Sequence, residues 1–452
     1  MPALARWSVL PLFLVFIACS SSSNNSGSGD AGTDGGGNAP TDPVKTSAGS
    51  VIDEGRQTFR FETFGDEAFW GDTIKLHQAI EGSAHGGVGN GVSPTTALSV
   101  GLKVDSDVLP ASLISSIKAG QVNLNDPAVT LQLLDASAVV GVKGFSNGAG
   151  GLQKIGITCA LCHSTVDDSV APGIGKRLDG WPNRDLNVGA IVNLAPDLSA
   201  VAQLLGVDEA TVRTVLMSWG AGKFDAELFL DGKAFQDQAG TKSAATLIPP
   251  AFGLRGVNLH TWTGWGSLTQ WNAFVANLEM HGVGHYTDER LDDATKFPVA
   301  ARAQMGHTAP PAGATDQITG KLGALEFYQL ALDAPTPPAS SFDGTAAGRG
   351  KTVFEGAGKC ATCHVPPLYT DAGWNMHSNT EIGIDDFQAS RAPDGKYRTS
   401  PLRGLFAHTK GGFYHDGRFA TLADVVAHYN SALTLGLSAS QQSDLVEYLK
   451  SL

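Results

Sequence analysis

The chain has 452 residues, of which 55 are glycine, and its formal net charge is −13. This length is enough for two domains or more, and the glycine content indicates many loops. A net negative charge argues against nucleic acid as a partner, because nucleic-acid binding requires a basic face. It fits a soluble acidic protein that is steered electrostatically towards a basic partner.

The N-terminal residues 1–19 have the pattern of an export signal that ends at a cysteine. Arg6 supplies the positive charge, and the apolar stretch 7–18 is too short for a membrane-spanning helix. Residues 16–19, Phe-Ile-Ala-Cys, resemble a lipoprotein processing site, although Phe16 stands where leucine is usual. We therefore expect an exported protein, periplasmic or associated with the outer membrane, anchored through a lipid on Cys19. The alternative is simple secretion without the lipid.

Residues 20–50 are mostly Ser, Gly, Asn and Asp, and too few of them are apolar to form a core. We expect them to be a flexible tether, with ordered structure beginning near Val51. Strand patterns are weak throughout, whereas apolar spacing predicts helices in several places. The predicted helical ranges are 56–81, 107–140, 200–219, 344–357, 421–430 and 438–451.

The cysteines carry the strongest chemical signal in the chain. Of the five, Cys19 belongs to the export signal, and the other four lie in two Cys-x-x-Cys-His motifs. The first motif is Cys159, Cys162 and His163, and the second is Cys360, Cys363 and His364. This spacing places both sulfurs on one turn, where they can add to the vinyl groups of a haem, and the histidine points at the iron. A zinc or redox pair is the alternative, but the histidine follows the second cysteine in both motifs.

The predicted fold is mainly α-helical, with little β-structure and two cytochrome c-type haem domains. The Pro-rich stretch 334–338 predicts a linker between an enlarged N-terminal domain, 51–338, and a C-terminal domain, 339–452. A short internal repeat supports this duplication. Leu254-Arg255-Gly256 precedes the segment 261–268, and Leu402-Arg403-Gly404 precedes the related segment 414–422.

The C-terminal segments 399–404, 412–422 and 425–430 resemble the second domain of bacterial di-haem cytochrome c peroxidases and of MauG. The resemblance is specific over 345–452, weaker over 150–285 and absent over 51–150. The segments 61–67 and 271–274 also resemble the rubber-oxygenase branch of the same superfamily.

The resemblance implies a role for each haem. The C-terminal haem of the peroxidases accepts electrons and has a methionine as its second ligand. Tyr429 stands at the matching position, and MauG-like proteins use tyrosine there. We therefore expect Tyr429 to face the second iron, with Met376 as the alternative ligand.

In these families the N-terminal haem is the peroxide site, and Leu278-Glu279-Met280 falls where they carry a Glu-Met pair. The resemblance implies that Glu279 is the distal acid-base, and an apolar pocket would raise its pKa. His260 and His281 are rival iron ligands. The loop 173–176 has Lys176 where the resting peroxidases use a ligating histidine, which argues against a bis-histidine resting state.

Two further roles follow from the resemblance. Trp262 and Trp265 lie where the family has an electron-relay tryptophan, although packing in an aromatic core would explain them equally well. The family also holds a calcium ion between its haems, and oxygen ligands suit calcium. The matching residues are Thr399, Pro401 and either Asn183 or Asn187.

The sequence thus predicts an oxidoreductase that reduces hydrogen peroxide at the first haem. Electrons would come from a small cytochrome c or cupredoxin and enter through the second haem. One alternative is an oxygenase or oxidase that uses O2 on an organic substrate, which the enlarged N-terminal domain favours. Another is an electron-transfer cytochrome without catalytic activity, in which both irons are six-coordinate.

Overall fold

The computed structural model describes residues 42–236, 242–371 and 373–452. The predicted signal peptide 1–19, with Cys19, and the predicted tether up to residue 41 lie outside these ranges. None of the helices in the described ranges is long and apolar enough to cross a bilayer. Residues Ser47–Leu452 cluster as one compact unit, and the proposed domain boundary at 338 stays a prediction.

The described residues are mainly helical with little β-structure, as predicted, and the two haem domains stay a prediction. Up to the Pro-rich stretch the α-helices are α1 (Pro43–Phe61), α2 (Leu76–Glu81), α3 (Pro94–Ser99), α4 (Ala111–Lys118), α5 (Pro127–Asp135), α6 (Ala160–His163), α7 (Val188–Val192), α8 (Ser199–Leu205), α9 (Glu209–Trp219), α10 (Leu228–Asp231), α11 (Leu268–Phe274), α12 (Pro298–Ala303) and α13 (Leu322–Ala331). After it come α14 (Gly344–Glu355), α15 (Asn379–Ile382), α16 (Phe387–Arg391), α17 (Leu422–Ala432) and α18 (Ala439–Lys450). Ala68–Thr73 and Val275–Glu279 are π-helical.

The strands are short and pair two by two, as the weak strand patterns predict. The antiparallel pairs are β2 (Val142–Ser146) with β3 (Leu152–Ile157), β4 (Ser164–Val166) with β6 (Arg177–Asp179), β7 (Lys223–Phe224) with β8 (Thr246–Leu247), β9 (Tyr286–Thr287) with β10 (His307–Thr308), and β11 (Met376–His377) with β12 (Tyr397–Arg398). One pair is parallel, namely β1 (Val104–Asp105) with β5 (Ile174–Gly175).

The first helix begins earlier than predicted, inside the segment that was expected to be tether. Pro43 is its first residue, and the Asp42 carboxylate accepts a hydrogen bond from the Val44 amide at 3.0 Å. An aspartate followed by proline is a strong helix start, because the side chain satisfies a free amide and proline presets φ. The prediction of a tether over 20–50 is therefore wrong for the residues from 43 onwards.

Two predicted helical ranges are each interrupted by a glycine in the left-handed region. Gly120 has φ 68° between α4 and α5, and Gly206 has φ 71° between α8 and α9. Each new helix then starts at an aspartate cap, Asp126 or Asp208. Glycine ends a helix in this way because it lacks the Cβ that opposes positive φ.

The C-terminal part has its own core, in which α14 packs against α18. A Cβ atom on Gly350 would overlap the Asp444 carbonyl group, so only glycine allows this approach. The core contains Phe354 from α14 and Leu445 and Tyr448 from α18. The second cysteine motif follows α14 directly, so this packing positions it.

Candidate functional site

The first cysteine motif forms a single turn whose backbone packs against Gly141. Cys159 precedes α6, and Cys162 and His163 lie on it. Gly141 has φ 78°, and its carbonyl accepts a hydrogen bond from the Thr158 amide at 3.0 Å. A Cβ atom on Gly141 would overlap the backbone of Leu161 and lie 2.6 Å from its Cβ. The turn therefore rests directly on this glycine.

All three motif residues line a cavity of about 290 Å³. Its wall is mostly apolar and draws on the N-terminal helices, including Leu76, Ile80, Leu98, Leu133 and Leu134. Mainly apolar cavities with a few polar groups are typical of cofactor and substrate sites. The residues between 70 and 140, which have no counterpart in the family resemblance, thus form part of this site.

The chemistry of the donors fits haem c better than zinc. Burial raises the pKa of the Cys159 and Cys162 thiols to about 12, so the free thiols are neutral. Among the described residues, the ligand atoms of Cys159, Cys162 and His163 do not converge as a zinc site requires. Burial also lowers the pKa of His163 to about 4, against the opposing effect of the Pro249 carbonyl, so the ring is neutral and able to bind a metal. In the same cavity wall, Arg398 Nη1 is buried without a hydrogen-bond partner, which suits an anionic haem propionate. These residues would hold haem c through Cys159 and Cys162, with His163 as the iron ligand.

Glu279 lines the same cavity as the first motif. It ends the π-helical segment that continues α11, a distortion often found at functional sites. Its Oε2 atom is buried without a hydrogen-bond partner. Burial raises the pKa of Glu279 well above its ordinary value, and Glu227 and Asp225 add to the effect. The side chain is therefore a proton holder inside an apolar cavity.

The structure separates the other residues that were predicted for this site. Trp262 lines the cavity and donates from Nε1 to the Leu247 carbonyl at 2.8 Å, and His260 lines it as well. Trp265 is buried in an aromatic cluster and is not among the lining residues. His281 is not among the residues that line the cavity either. Its ring stacks on that of Phe69, with 3.7 Å between the ring centroids.

The loop residue Lys176, which replaces the ligating histidine of the resting peroxidases, has an exposed side chain. Its backbone amide donates to the Asp167 carboxylate at 2.8 Å, which holds the loop. At the position where the related peroxidases have an iron ligand, this loop therefore has the solvent-exposed side chain of Lys176.

The second cysteine motif is a 3-10 turn, Cys360–Thr362, followed by Cys363 and His364. His364 Nδ1 lies 3.0 Å from the Tyr369 carbonyl. That bond requires a proton on Nδ1 and leaves Nε2 as the free ligand atom, a typical arrangement around metal-binding histidines. Burial raises the pKa of the Cys360 thiol to about 11, so the free thiol is neutral. These residues would hold the second haem c, with His364 on its iron.

Tyr429 lies near the cysteines of the second motif, and Met376 packs against Gly264. Burial is the largest cause of the raised pKa of Tyr429, and the thiols of Cys363 and Cys360 raise it further, so its hydroxyl lies close to them. Met376 lies against Gly264, where a Cβ atom would be 2.9 Å from the methionine sulfur. The arrangement favours Tyr429, and the identity of the sixth ligand stays a prediction.

The two repeat segments have the same local geometry. Thr261 and Tyr414 both have φ 69°, and each loop is closed by an amide-to-carbonyl bond of 2.8 Å. In each segment a hydroxyl side chain, Ser267 or Thr421, caps the next helix, which begins at Leu268 or Leu422. Counted from these starts, Tyr429 corresponds to Val275, which lines the first cavity. The duplication therefore supports the position of Tyr429 beside the second motif.

The residues predicted for calcium have other partners. Asn183 donates from Nδ2 to the Gly101 carbonyl at 2.9 Å, and Asn187 accepts from the Ala190 amide at 3.0 Å. The Thr399 carbonyl accepts from the Thr370 hydroxyl at 2.6 Å. Among the described residues, no hydrogen bond joins Asn183 to Thr399 or Pro401. The calcium ion stays a prediction.

Sequence reasoning missed a buried cluster next to Glu279, which we call the Arg391 cluster. It comprises Arg391, Asp225, Glu227, Asp231 and Gln388, and Glu227 and Gln388 line the cavity. The acidic residues come from the segment 225–231 and the others from α16. The sequence signal for this cluster was the presence of three acidic residues within an otherwise apolar segment. Only the fold shows that their partners are Arg391 and Gln388.

Comparison with known proteins gives distant matches to solved structures. No family model and no curated protein sequence matches the chain. One structural match is hydrazine synthase from Kuenenia stuttgartiensis, at 18% identity and a TM-score of 0.26, covering 50% of this chain and 86% of the other.

Two further matches are a MauG-like protein and a diheme peroxidase. A MauG-like protein associated with microbial copper homeostasis has 19% identity, a TM-score of 0.30 and coverage of 50% and 79%. The diheme peroxidase BthA from Burkholderia thailandensis has 15% identity, a TM-score of 0.32 and coverage of 52% and 78%. TM-scores below 0.5 do not define the activity of this chain.

Proposed function

We propose that this protein is a di-haem c-type oxidoreductase that reduces hydrogen peroxide at the first haem. Electrons would come from a small cytochrome c or cupredoxin and enter through the second haem. The observation that carries the proposal is the position of Glu279, in the wall of the cavity that Cys159, Cys162 and His163 also line. The haems would supply the iron chemistry that binds peroxide and transfers electrons.

The contribution of the protein chain is proton handling and exclusion of water. Among the described residues Glu279 Oε2 has no hydrogen-bond partner, so the carboxyl group is free to donate its proton to one peroxide oxygen and take one back from the other. The apolar wall keeps bulk water from competing for that proton. Trp262 is fixed by its bond to the Leu247 carbonyl and stands in the same wall, in a suitable place for an electron relay.

The test is Glu279→Gln, which keeps the shape of the side chain and removes the acid. We expect peroxide reduction to slow by about 100-fold or more, the usual size of a lost acid-base group. Glu81→Gln is the matched control, because Glu81 is buried, accepts from the Leu152 amide and is not in the cavity wall. Equal rates for the Glu279 variant and the control, at equal haem content, would contradict the proposal.

One observation favours an oxygenase that acts on an apolar substrate as a second candidate. Leu76, Ile80 and Leu133, from a part of the chain with no peroxidase resemblance, add apolar wall to the cavity. Optical and EPR spectra with peroxide, O2 and CO separate the candidates. Response to peroxide alone supports the first and response to O2 the second, whereas two low-spin irons that ignore every ligand would leave only an electron carrier.

We also propose that the protein is exported and anchored by lipid on Cys19. The support is the sequence pattern of residues 1–19. Mass spectrometry of the mature N-terminus tests this, with Cys19→Ser as the variant that should remain unanchored. A mature chain that still carries residues 1–18 would contradict it.

A further inference from the structure

The Arg391 cluster is held together by buried hydrogen bonds. The Arg391 guanidinium bonds Asp231 at 2.8 and 3.1 Å and pairs with Asp225 at 3.0 Å. Gln388 Nε2 donates to Glu227 Oε1 at 2.5 Å. Arg391 is 1% exposed and Asp225 is 0% exposed, so water does not screen these groups. The cluster thus consists of two groups inside the core, Glu227 with Gln388 and Arg391 with its two aspartates, and the charge of Arg391 acts on Glu227.

The charges in this region do not balance. Three carboxyl groups share one guanidinium, which is committed to Asp225 and Asp231, so Glu227 has only the amide of Gln388 as a partner. Isolated buried carboxylates are costly, and the usual outcome is that they take up a proton. Burial is the main cause that raises the pKa of Glu227, and it raises that of Asp225 to about 7. The cluster therefore stores at least one exchangeable proton near neutral pH.

The cluster has one end at the cavity and the other at the surface. At the inner end, Glu227 and Gln388 line the cavity together with Glu279. At the outer end, Asp231 accepts from the Lys233 amide at 2.8 Å, and Arg391 donates to the Lys233 carbonyl at 2.9 Å. Lys233 itself is exposed. The carboxyl groups thus link solvent to the proposed acid-base residue.

We propose that Glu227 relays protons from solvent, through the Arg391 cluster, to Glu279. This rests on the proposed function, because reduction of peroxide to water consumes protons as well as electrons in a cavity closed to bulk water. The O–H bond of Glu227 breaks as one forms on Glu279, and Asp225 or Asp231 then reprotonates Glu227. Those aspartates recover the proton from solvent water beside Lys233. Arg391 and Gln388 are positioning residues that hold the carboxyl groups in line.

The experiment compares Glu227→Gln with Glu279→Gln and the control Glu81→Gln in the haem-loaded protein. The first readout is infrared absorption of protonated carboxyl groups, followed through a pH titration. We expect each of the first two variants to lose its own band, and the control to keep both. Gln388→Leu removes only the amide that holds Glu227 and should shift the Glu227 band, which provides a second variant if Glu227→Gln fails to fold.

The second readout is peroxide reduction resolved into first and later turnovers. In Glu227→Gln the first turnover should keep its rate while later turnovers slow by about 100-fold, the low end of general acid-base effects. Glu227→Asp restores an acid and should recover part of the loss. An unchanged carboxyl spectrum, or equal slowing of first and later turnovers, would overturn the relay. If Glu279→Gln is slow while Glu227→Gln is normal, the relay fails and the peroxidase proposal stands.

Discussion

Replacing Gly141 by alanine tests how the first motif is supported. Gly141 has φ 78°, and alanine in this region costs about 1–2 kcal/mol. The added Cβ would also overlap the backbone of Leu161, and overpacking of a core typically adds about 1–3 kcal/mol. We therefore expect Gly141→Ala to lower the free energy of unfolding by about 2–5 kcal/mol. Relief of the overlap requires movement of the turn that carries Cys159 and Cys162.

Gly148→Ala is the matched control, because its φ of 75° is nearly the same and nothing lies within 4 Å of the added Cβ. It should show only the backbone cost of about 1–2 kcal/mol. The assays are urea denaturation and mass spectrometry of the peptides that carry each haem. Gly141→Ala should lose haem at Cys159 and Cys162 and keep it at the second motif. Equal stability loss and full haem at both motifs in the two variants would refute the reasoning.

Three further outcomes are expected. Tyr429→Phe should change the optical and EPR spectra of the second haem while Met376→Leu leaves them unchanged, and the reverse result would make Met376 the ligand. Arg391→Met should cost about 3–5 kcal/mol in urea denaturation, because it leaves buried carboxylates without their cation; a loss below about 1 kcal/mol would contradict this. Burial raises the pKa of Asp66 from 3.8 to about 9, so the folded state keeps a proton that the unfolded state releases. Stability should therefore fall as pH rises from 4 towards 9, and Asp66→Asn, measured by denaturation at each pH, should reduce that slope, whereas an unchanged slope would contradict the assignment.

The chemistry of the two motifs could be predicted from the sequence because it is local. Cys360, Cys363 and His364 are adjacent in the chain, so one turn brings their atoms together whatever the surroundings. The helices α14, α17 and α18 were predicted for a similar reason, since their apolar spacing lies within a few turns. The early start at Pro43 was missed because the prediction weighed polar composition above the Asp-Pro start signal.

The residues that surround the first haem site were harder to predict from the sequence, because they come from separate parts of the chain. The family resemblance indicated Glu279, but only the fold shows that it shares a cavity with Cys159 and that Trp265 does not. Nothing in the sequence joins Asp231 to Arg391, which lie far apart in the chain and pair only through packing.

The sequence by itself determined that two haem-binding turns exist, with their cysteines and histidines, because covalent spacing is independent of the rest of the fold. The tertiary structure alone decided which side chains surround each turn. Packing buries Tyr429 and brings Met376 against Gly264, and it buries a set of carboxyl groups beside the cavity that Glu279 lines. Burial and charge balance depend on residues far apart in the chain, and no local pattern encodes them.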